Sequence, residues 1–435
     1  MKKFIGFFTL LALFLCANSA FCAQPRKITL QQAIDIAVQN NIDYKAAQID
    51  VEIAKNNIKS ANKLQPTEIN TFFNIGSIAR GNPQMLGATQ GVEIAKRDAR
   101  KKLAESNLLL TKENVGYYEF DLKMDVREAY IKLAVSKSIL NNLQMQQKLL
   151  EELLSIAKKK VAAGETTEMD VLQAEIAINQ MVTHVNTARA EVKAALHNFN
   201  KVINPQGMTE VEFDAIDSLF DEKDDFDALM TPPPKTKLPP FELIAQKSLS
   251  NRYDIRIAKQ KIDVAQKNLT LVARQRIPDL EFFGGYGYQT RAMSEEGKFQ
   301  GGAYAGANIT NIPLFYSYKP EIANAKLEID KAELNYQSAE NKALKDLSSA
   351  YERFVTAKMN LNDYNEKLLK CSKEMINLSK KNYGAGKSNL TTFIVMEQSY
   401  KSIIIEYTKT LAEYYNSWVG FLREVNAENF DIESI

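Results

Sequence analysis

Val161-Ala162-Ala163-Gly164-Glu165-Thr166 stands between two long amphipathic stretches, and Tyr383-Gly384-Ala385-Gly386-Lys387-Ser388 stands between two more. Each glycine falls where one helix must reverse into the next, a turn that needs the left-handed backbone glycine enters without steric penalty. Outward from these turns the chain repeats itself. Glu128-Ala129-Tyr130 answers Ser349-Ala350-Tyr351, and Glu175 answers Glu397. Farther upstream, Asn40-Asn41-Ile42-Asp43-Tyr44 with Val51 and Ala54 answers Asn251-Arg252-Tyr253-Asp254-Ile255 with Ile262 and Ala265, and each helix then meets a proline, Pro66 or Pro278. Duplication of one supersecondary unit decides the architecture before any single motif does.

The periods inside each copy specify its elements. Thr29 and Gln32 form a capping box for a short helix, and a second helix runs from Ile42 to Leu64. The pattern then changes to a two-residue repeat: Ile69, Thr71, Phe73 and Ile75 against Glu68, Asn70, Phe72 and Asn74. In the second copy Leu280, Phe282, Tyr286 and Tyr288 oppose Glu281, Phe283 and Gln289, with return strands expected over Gly87 to Ile94 and Gly302 to Ile312. Next, Leu122, Val126, Ala129, Leu133, Ser136, Leu140, Leu143, Gln147, Leu150, Leu154, Ala157 and Val161 alternate spacings of four and three, a coiled-coil seam. A helix from Lys96 to Ala162 would reach about 100 Å. Its partner carries Val171, Ala174, Ile178, Met181 and Val185, and the second copy continues the rule from Leu347 through Tyr364 and Leu368 to Leu378.

Length, charge and cysteines bound the function. Lys2 and Lys3, the apolar run from Phe4 to Cys16 and the small residues up to Ala23 make a secretory leader. Its removal takes two of 55 basic residues and leaves 53 against 53 acids, so nothing in the charge favours nucleic acid. Cys371 is then the one remaining cysteine, which precludes an intrachain disulfide. No later stretch approaches the roughly 18 to 20 apolar residues of a membrane helix, so any membrane entry is by strands. The expected organisation is a leader over 1–23, a first repeat over 24–208 with strands at about 67–94, an acidic, Pro-rich linker over 209–239, a second repeat over 240–425 with strands at about 279–312, and a tail over 426–435. The linker, with Phe213, Phe220 and Phe226 among acids and Pro232, Pro233, Pro234, Pro239 and Pro240 at its end, reads as a surface segment with room for one short helix.

Apparent catalytic features have plainer readings. Gly386-Lys387-Ser388 mimics the end of a phosphate loop, but Lys381 stands where its first glycine belongs and a helix precedes it; a C-cap glycine and a serine N-cap account for the residues. His184 and His197 lie thirteen residues apart on one helix, too far to share a metal. No catalytic, cofactor or metal site is expected, and the chain does not read as an enzyme.

The run from Val161 to Glu175, with Gly164, Thr166 and Asp170-Val171-Leu172, resembles the periplasmic turn of TolC-like outer membrane efflux proteins. Tyr383 to Gly386, the strand end Ile312-Pro313-Leu314-Phe315 and the duplication extend the resemblance over nearly the whole mature chain. It implies a mainly α fold with a small β part: duplicated coiled-coil hairpins forming a periplasmic α-barrel, and about four strands per chain in a shared trimeric outer-membrane β-barrel. It further implies an outer-membrane exit duct reaching into the periplasm, a homotrimer in outer-membrane lipid, working with a periplasmic adapter (membrane fusion protein) and an inner-membrane RND pump or ABC transporter in efflux or type I secretion. Ala163, Gly164, Glu165, Thr166, Ala385, Gly386, Lys387 and Ser388 would be adapter-docking tips, and Asp170 would lie at the pore constriction, with Thr392 as its neutral counterpart. The segment Gln90 to Arg100, with Glu93, Lys96 and Arg97, is similar to the heavy-metal efflux subgroup.

The residues reach an oligomer independently. Four strands cannot close a barrel, since membrane barrels begin at about eight and lipid tolerates no open sheet edge. Ile69, Phe73, Leu280 and Phe282 are the candidate membrane-facing residues. The alternative is a soluble periplasmic coiled-coil adapter or scaffold in which the strands make a small β-domain and no pore.

Overall fold

The computed structural model describes residues 26–73, 83–203, 213–215, 239–289, 300–314, 316–363 and 366–428. The expected leader, most of the linker and the end of the tail lie outside these residues. The first copy runs β1 (Arg26–Ile28), α1 (Leu30–Asn40), α2 (Ile42–Ala61), β2 (Glu68–Phe73), β3 (Pro83–Val92), α3 (Lys96–Ala162) and α4 (Glu168–Ile203). After β4 (Phe213–Ala215), the second runs α5 (Phe241–Leu249), α6 (Tyr253–Arg274), β5 (Asp279–Gln289), β6 (Gln300–Thr310), α7 (Lys319–Asp363), α8 (Glu366–Gly384) and α9 (Leu390–Val425). Two helices, two strands and a long helical hairpin thus occur twice, and the return helices α4 and α9 have the same length, 36 residues.

Local chemistry explains most boundaries. The Thr29 side chain accepts from the Gln32 backbone while the Gln32 side chain accepts from the Thr29 backbone, closing the capping box of α1. α3 runs for 67 residues, and its seam of alternating spacings covers Leu122 to Val161. In the second copy α7 ends at Asp363 and α8 begins at Glu366, and Tyr364, an expected seam position, falls outside the described residues.

The linker holds an element that its composition hides. Phe213–Ala215 is a strand and pairs in parallel with Arg26–Ile28, while most of the rest of the segment that had room for a short helix lies outside the described residues. Ala215 and Ile28 are buried, Lys137 Nζ bonds both Asp214 carboxylate oxygens at 2.9 Å, and the Asn200 side chain donates to and accepts from the Phe213 backbone. Three residues are too few to show a period, and their partner lies nearly two hundred positions away.

The chain divides into two compact units that do not follow the repeat boundary. One comprises 1–42, 122–237 and 352–420; the other comprises 43–121, 238–351 and 421–435. In the first, Leu143, Leu150 and Leu153 of α3, Met181 and Val185 of α4, Ile376 and Tyr383 of α8, and Leu390 and Phe393 of α9 form one apolar core. In the second, Tyr44 stacks on Tyr118 and donates to Glu119, while Tyr117 and Phe120 pack on Tyr253. The buried Arg252 there holds Asp254 through two nitrogens and Glu424 through side chain and carbonyl, tying the start of α6 to the end of α9. No described helix is long and apolar enough to cross a membrane.

Candidate functional site

The four longer strands form one antiparallel sheet in the order β2-β3-β5-β6. Its strands begin and end close to the expected positions, with the return strands at Pro83–Val92 and Gln300–Thr310. Residues directly opposite in such a sheet share a face. The register therefore puts Ile69 of β2, Leu86 of β3, Leu280, Phe282 and Tyr286 of β5 and Ile309 of β6 on one side, together with the register position of Phe73. Ile69, Leu86, Phe282, Tyr286 and Ile309 are each at least half exposed. The other face carries Glu68, Asn70, Thr89, Glu281 and Asn308, where Asn70 donates to Thr89 at 2.6 Å, with Phe72 and Met85 exposed beside them. A sheet with two exposed faces, and with no further strand paired to β2 or β6 among the described residues, does not satisfy its own burial or hydrogen bonding.

The base of the sheet is bolted to the helices. Asp279 opens β5 and is buried; its Oδ2 accepts from Lys96 Nζ at the start of α3 and from Asn311 Nδ2 just past β6. Asn311 takes a φ of 55°, a left-handed conformation that asparagine tolerates. Glu93 binds Arg100, whose guanidinium also reaches the carbonyls of Ala61 and Lys63. The charged run from Gln90 to Arg100 thus has a structural task where strand becomes helix.

At the other functional region, the two turns share one geometry. Gly164 has a φ of 74° and Gly386 a φ of 73°. In the first turn Gly164 N–H bonds Val161 O and Glu165 N–H bonds Lys160 O; in the second, Gly386 N–H bonds Tyr383 O and Lys387 N–H bonds Asn382 O. This is the Schellman pattern in both copies. A Cβ on Gly164 would meet nothing within 4 Å, so backbone conformation alone calls for glycine there. Ala163, Glu165, Ala385 and Lys387 are exposed, and Thr166 and Ser388 are half-buried. The expected serine cap is corrected: Asn389 caps α9, its Oδ1 accepting from the Thr392 N–H at 2.8 Å and from the Thr392 hydroxyl at 2.6 Å, while Ser388 Oγ has no partner among the described residues. Asparagine is the residue immediately before the helix, so its side chain reaches the free N–H groups that serine, one place earlier, does not.

The turns are latched together. Lys160 Nζ donates to the Tyr383 carbonyl at 2.6 Å and lies 4.8 Å from the centre of the Tyr383 ring. The buried Tyr383 hydroxyl donates to Asp170 Oδ2 at 3.4 Å, and the same oxygen accepts from Thr166 at 2.6 Å. Burial, then the Asp170 charge and hydrogen bond, push the Tyr383 phenol up to about 12, so it stays a donor across physiological pH. Lys380 pairs with Glu152, and Thr391 donates to Gln173.

Comparison with known proteins bears on this geometry. Residues 244–420 match the outer membrane efflux protein family. The structure of CusC superposes with a TM-score of 0.74 at 14% identity, covering 92% of each chain. The Campylobacter jejuni CmeC outer membrane channel gives 0.70 at 17% identity, over 93% of this chain and 88% of that one. The Neisseria gonorrhoeae MtrE outer membrane channel, solved in its open state, gives 0.70 at 18% identity, over 92% and 89%. No curated protein matches the sequence. The chain has the fold of these outer membrane channels.

In this efflux-protein fold the family match lies within the second repeat, while Asp170, Thr166 and Lys160 belong to the first. Sequence reading named Asp170 but neither its bond to Tyr383 nor Lys160, which bonds the Tyr383 carbonyl. The signal that could have found them is asymmetry between the copies: Tyr383 stands where the first repeat has Val161, and Asp170 stands where the second has Thr392. Asp279 and Lys96 gave no comparable signal, because each is one charge in an ordinary polar position.

Proposed function

We propose that this outer membrane efflux protein is the exit duct of a tripartite efflux or type I secretion system, a homotrimer set in the outer membrane and extending into the periplasm. The observation that carries the reading is the sheet: four strands, one exposed apolar face, one polar face and two open edges. Three copies joined edge to edge supply twelve strands, enough to close a barrel with lipid outside and water inside. Transport is passive conduction. Energy comes from an inner-membrane RND pump or ABC transporter, coupled through a periplasmic adapter that docks on Ala163–Thr166 and Ala385–Ser388.

The latch at Asp170 supports a gating role for the same end of the duct. Asp170 joins the two hairpins of one chain through Tyr383, so the hairpins separate only when that bond breaks. Thr392, held to Asn389, is the neutral counterpart in the constriction. The likeness of Gln90 to Arg100 to heavy-metal members makes metal ions the cargo to test first. Detergent extraction from outer membranes followed by planar-bilayer recording tests the whole reading. A heat-resistant trimer with discrete conductance is the expected result, and a water-soluble, non-conducting protein would favour an adapter or scaffold instead.

A further inference from the structure

On the polar face of the sheet, rings and glycines alternate across the strands. Thr89, Phe283 and Gly306 stand opposite one another on β3, β5 and β6, and the neighbouring row is Gly87, Gly285 and Tyr304. The Phe283 and Tyr304 rings lie with centroids 6.3 Å apart. A Cβ on Gly306 would overlap the outer end of the Phe283 ring, and one on Gly87 or Gly285 would overlap the Tyr304 hydroxyl. Each ring is therefore laid down over glycine on a neighbouring strand instead of standing off the sheet.

Glycine inside a strand weakens it, through chain entropy and the missing side chain. A ring covering a glycine recovers part of that loss, which would be reason enough for the arrangement in any sheet. Here the arrangement lies on the face that bears Glu68, Asn70, Thr89, Glu281 and Asn308, the water side of the barrel proposed above. A ring raised from this face would project into the lumen, once per chain and so three times around the axis.

We propose that Gly306 and Gly285 set the bore of the duct, by letting the Phe283 and Tyr304 rings lie along the wall. The two glycines are positioning residues and the two rings are the groups that passing solute meets. The inference rests on the sheet being part of a shared barrel.

Gly306→Ala is the informative change, because the atoms nearest its new Cβ are all of the Phe283 ring, whereas one at Gly285 comes closest to the backbone of Leu86 and Gly87. Purified trimers of the wild type, Gly306→Ala, Gly306→Ala with Phe283→Leu, and Phe283→Trp are compared by single-channel conductance in planar bilayers. Gly306→Ala should conduct less than wild type, the added Phe283→Leu should restore conductance, and Phe283→Trp, a larger ring over the same floor, should conduct less. Wild-type conductance in Gly306→Ala, or a deficit that Phe283→Leu leaves in place, overturns the proposal; so does unchanged conductance in Phe283→Trp if Gly306→Ala fails to assemble. A wild-type protein that never conducts would instead refute the channel reading, and the bore with it.

Discussion

Lys96 Nζ lies 2.6 Å from Asp279 Oδ2, with only 12% and 7% of the two side chains exposed, and the pair joins the start of α3 in the first repeat to the start of β5 in the second. Two residues 183 positions apart hold strands to helices where the chain passes from one to the other. Removing one partner leaves the other charge buried. Asp279→Ala should destabilise the protein by about 3 to 5 kcal/mol, read as a lower unfolding midpoint of detergent-solubilised protein. A change within measurement error would mean that water already screens Lys96.

Phe282 tests the membrane-facing side of the sheet. Arginine there should cost about 2 to 4 kcal/mol if the residue lies near the bilayer midplane, and the yield of membrane-embedded trimer should fall accordingly. Wild-type yield would place Phe282 away from lipid.

The latch has a defined pH dependence. A phenol whose pKa is higher folded than unfolded favours the folded state while protonated, so its contribution is full below about 10 and is lost as pH rises through about 12. The phenols of Tyr117, Tyr316, Tyr336 and Tyr400 are also raised, so phenolate absorbance should show several late-titrating tyrosines and lose one of them in Tyr383→Phe. Tyr383→Phe and Asp170→Asn should each raise the open probability of the reconstituted channel and leave trimers intact.

Glu397, the second-copy counterpart of the half-buried Glu175, is buried with one carboxylate oxygen lacking a partner among the described residues. Burial raises its pKa and the nearby Lys401 opposes this more weakly. Such a carboxyl contributes most to stability when protonated, in acid, and loses that contribution as pH rises through its folded pKa. Glu397→Gln should accordingly raise the unfolding midpoint at neutral pH and bring no gain at pH values below the ordinary glutamate range.

At the tips, bulk should matter more than charge. For Gly164→Trp with Gly386→Trp, the new Cβ meets nothing within 4 Å at Gly164 and Lys160 Nζ at 3.8 Å at Gly386, and the positive φ costs about 1 to 2 kcal/mol per site. Trimers should remain in the membrane while export with the cognate pump is lost. Full export by such trimers would move adapter docking elsewhere.

How much of this was legible beforehand follows from the range of the interactions concerned. Ile69 to Phe73 alternate at a period of two and Leu122 to Val161 at three and four, and these local rhythms sufficed for strands, helices, the duplication and the Gly164 and Gly386 turns. The same rhythm assigned Ile69, Leu280 and Phe282 to one apolar face, because strand geometry leaves an alternating segment no other choice.

Tertiary structure alone decided what joins to what. The β1–β4 pair, the Lys96–Asp279 bond and the Lys160–Tyr383–Asp170 latch all link positions more than 180 apart, where no local period carries information. A sequence shows which residues can be buried or charged; which of them meet depends on chain closure over distances that only the folded packing resolves.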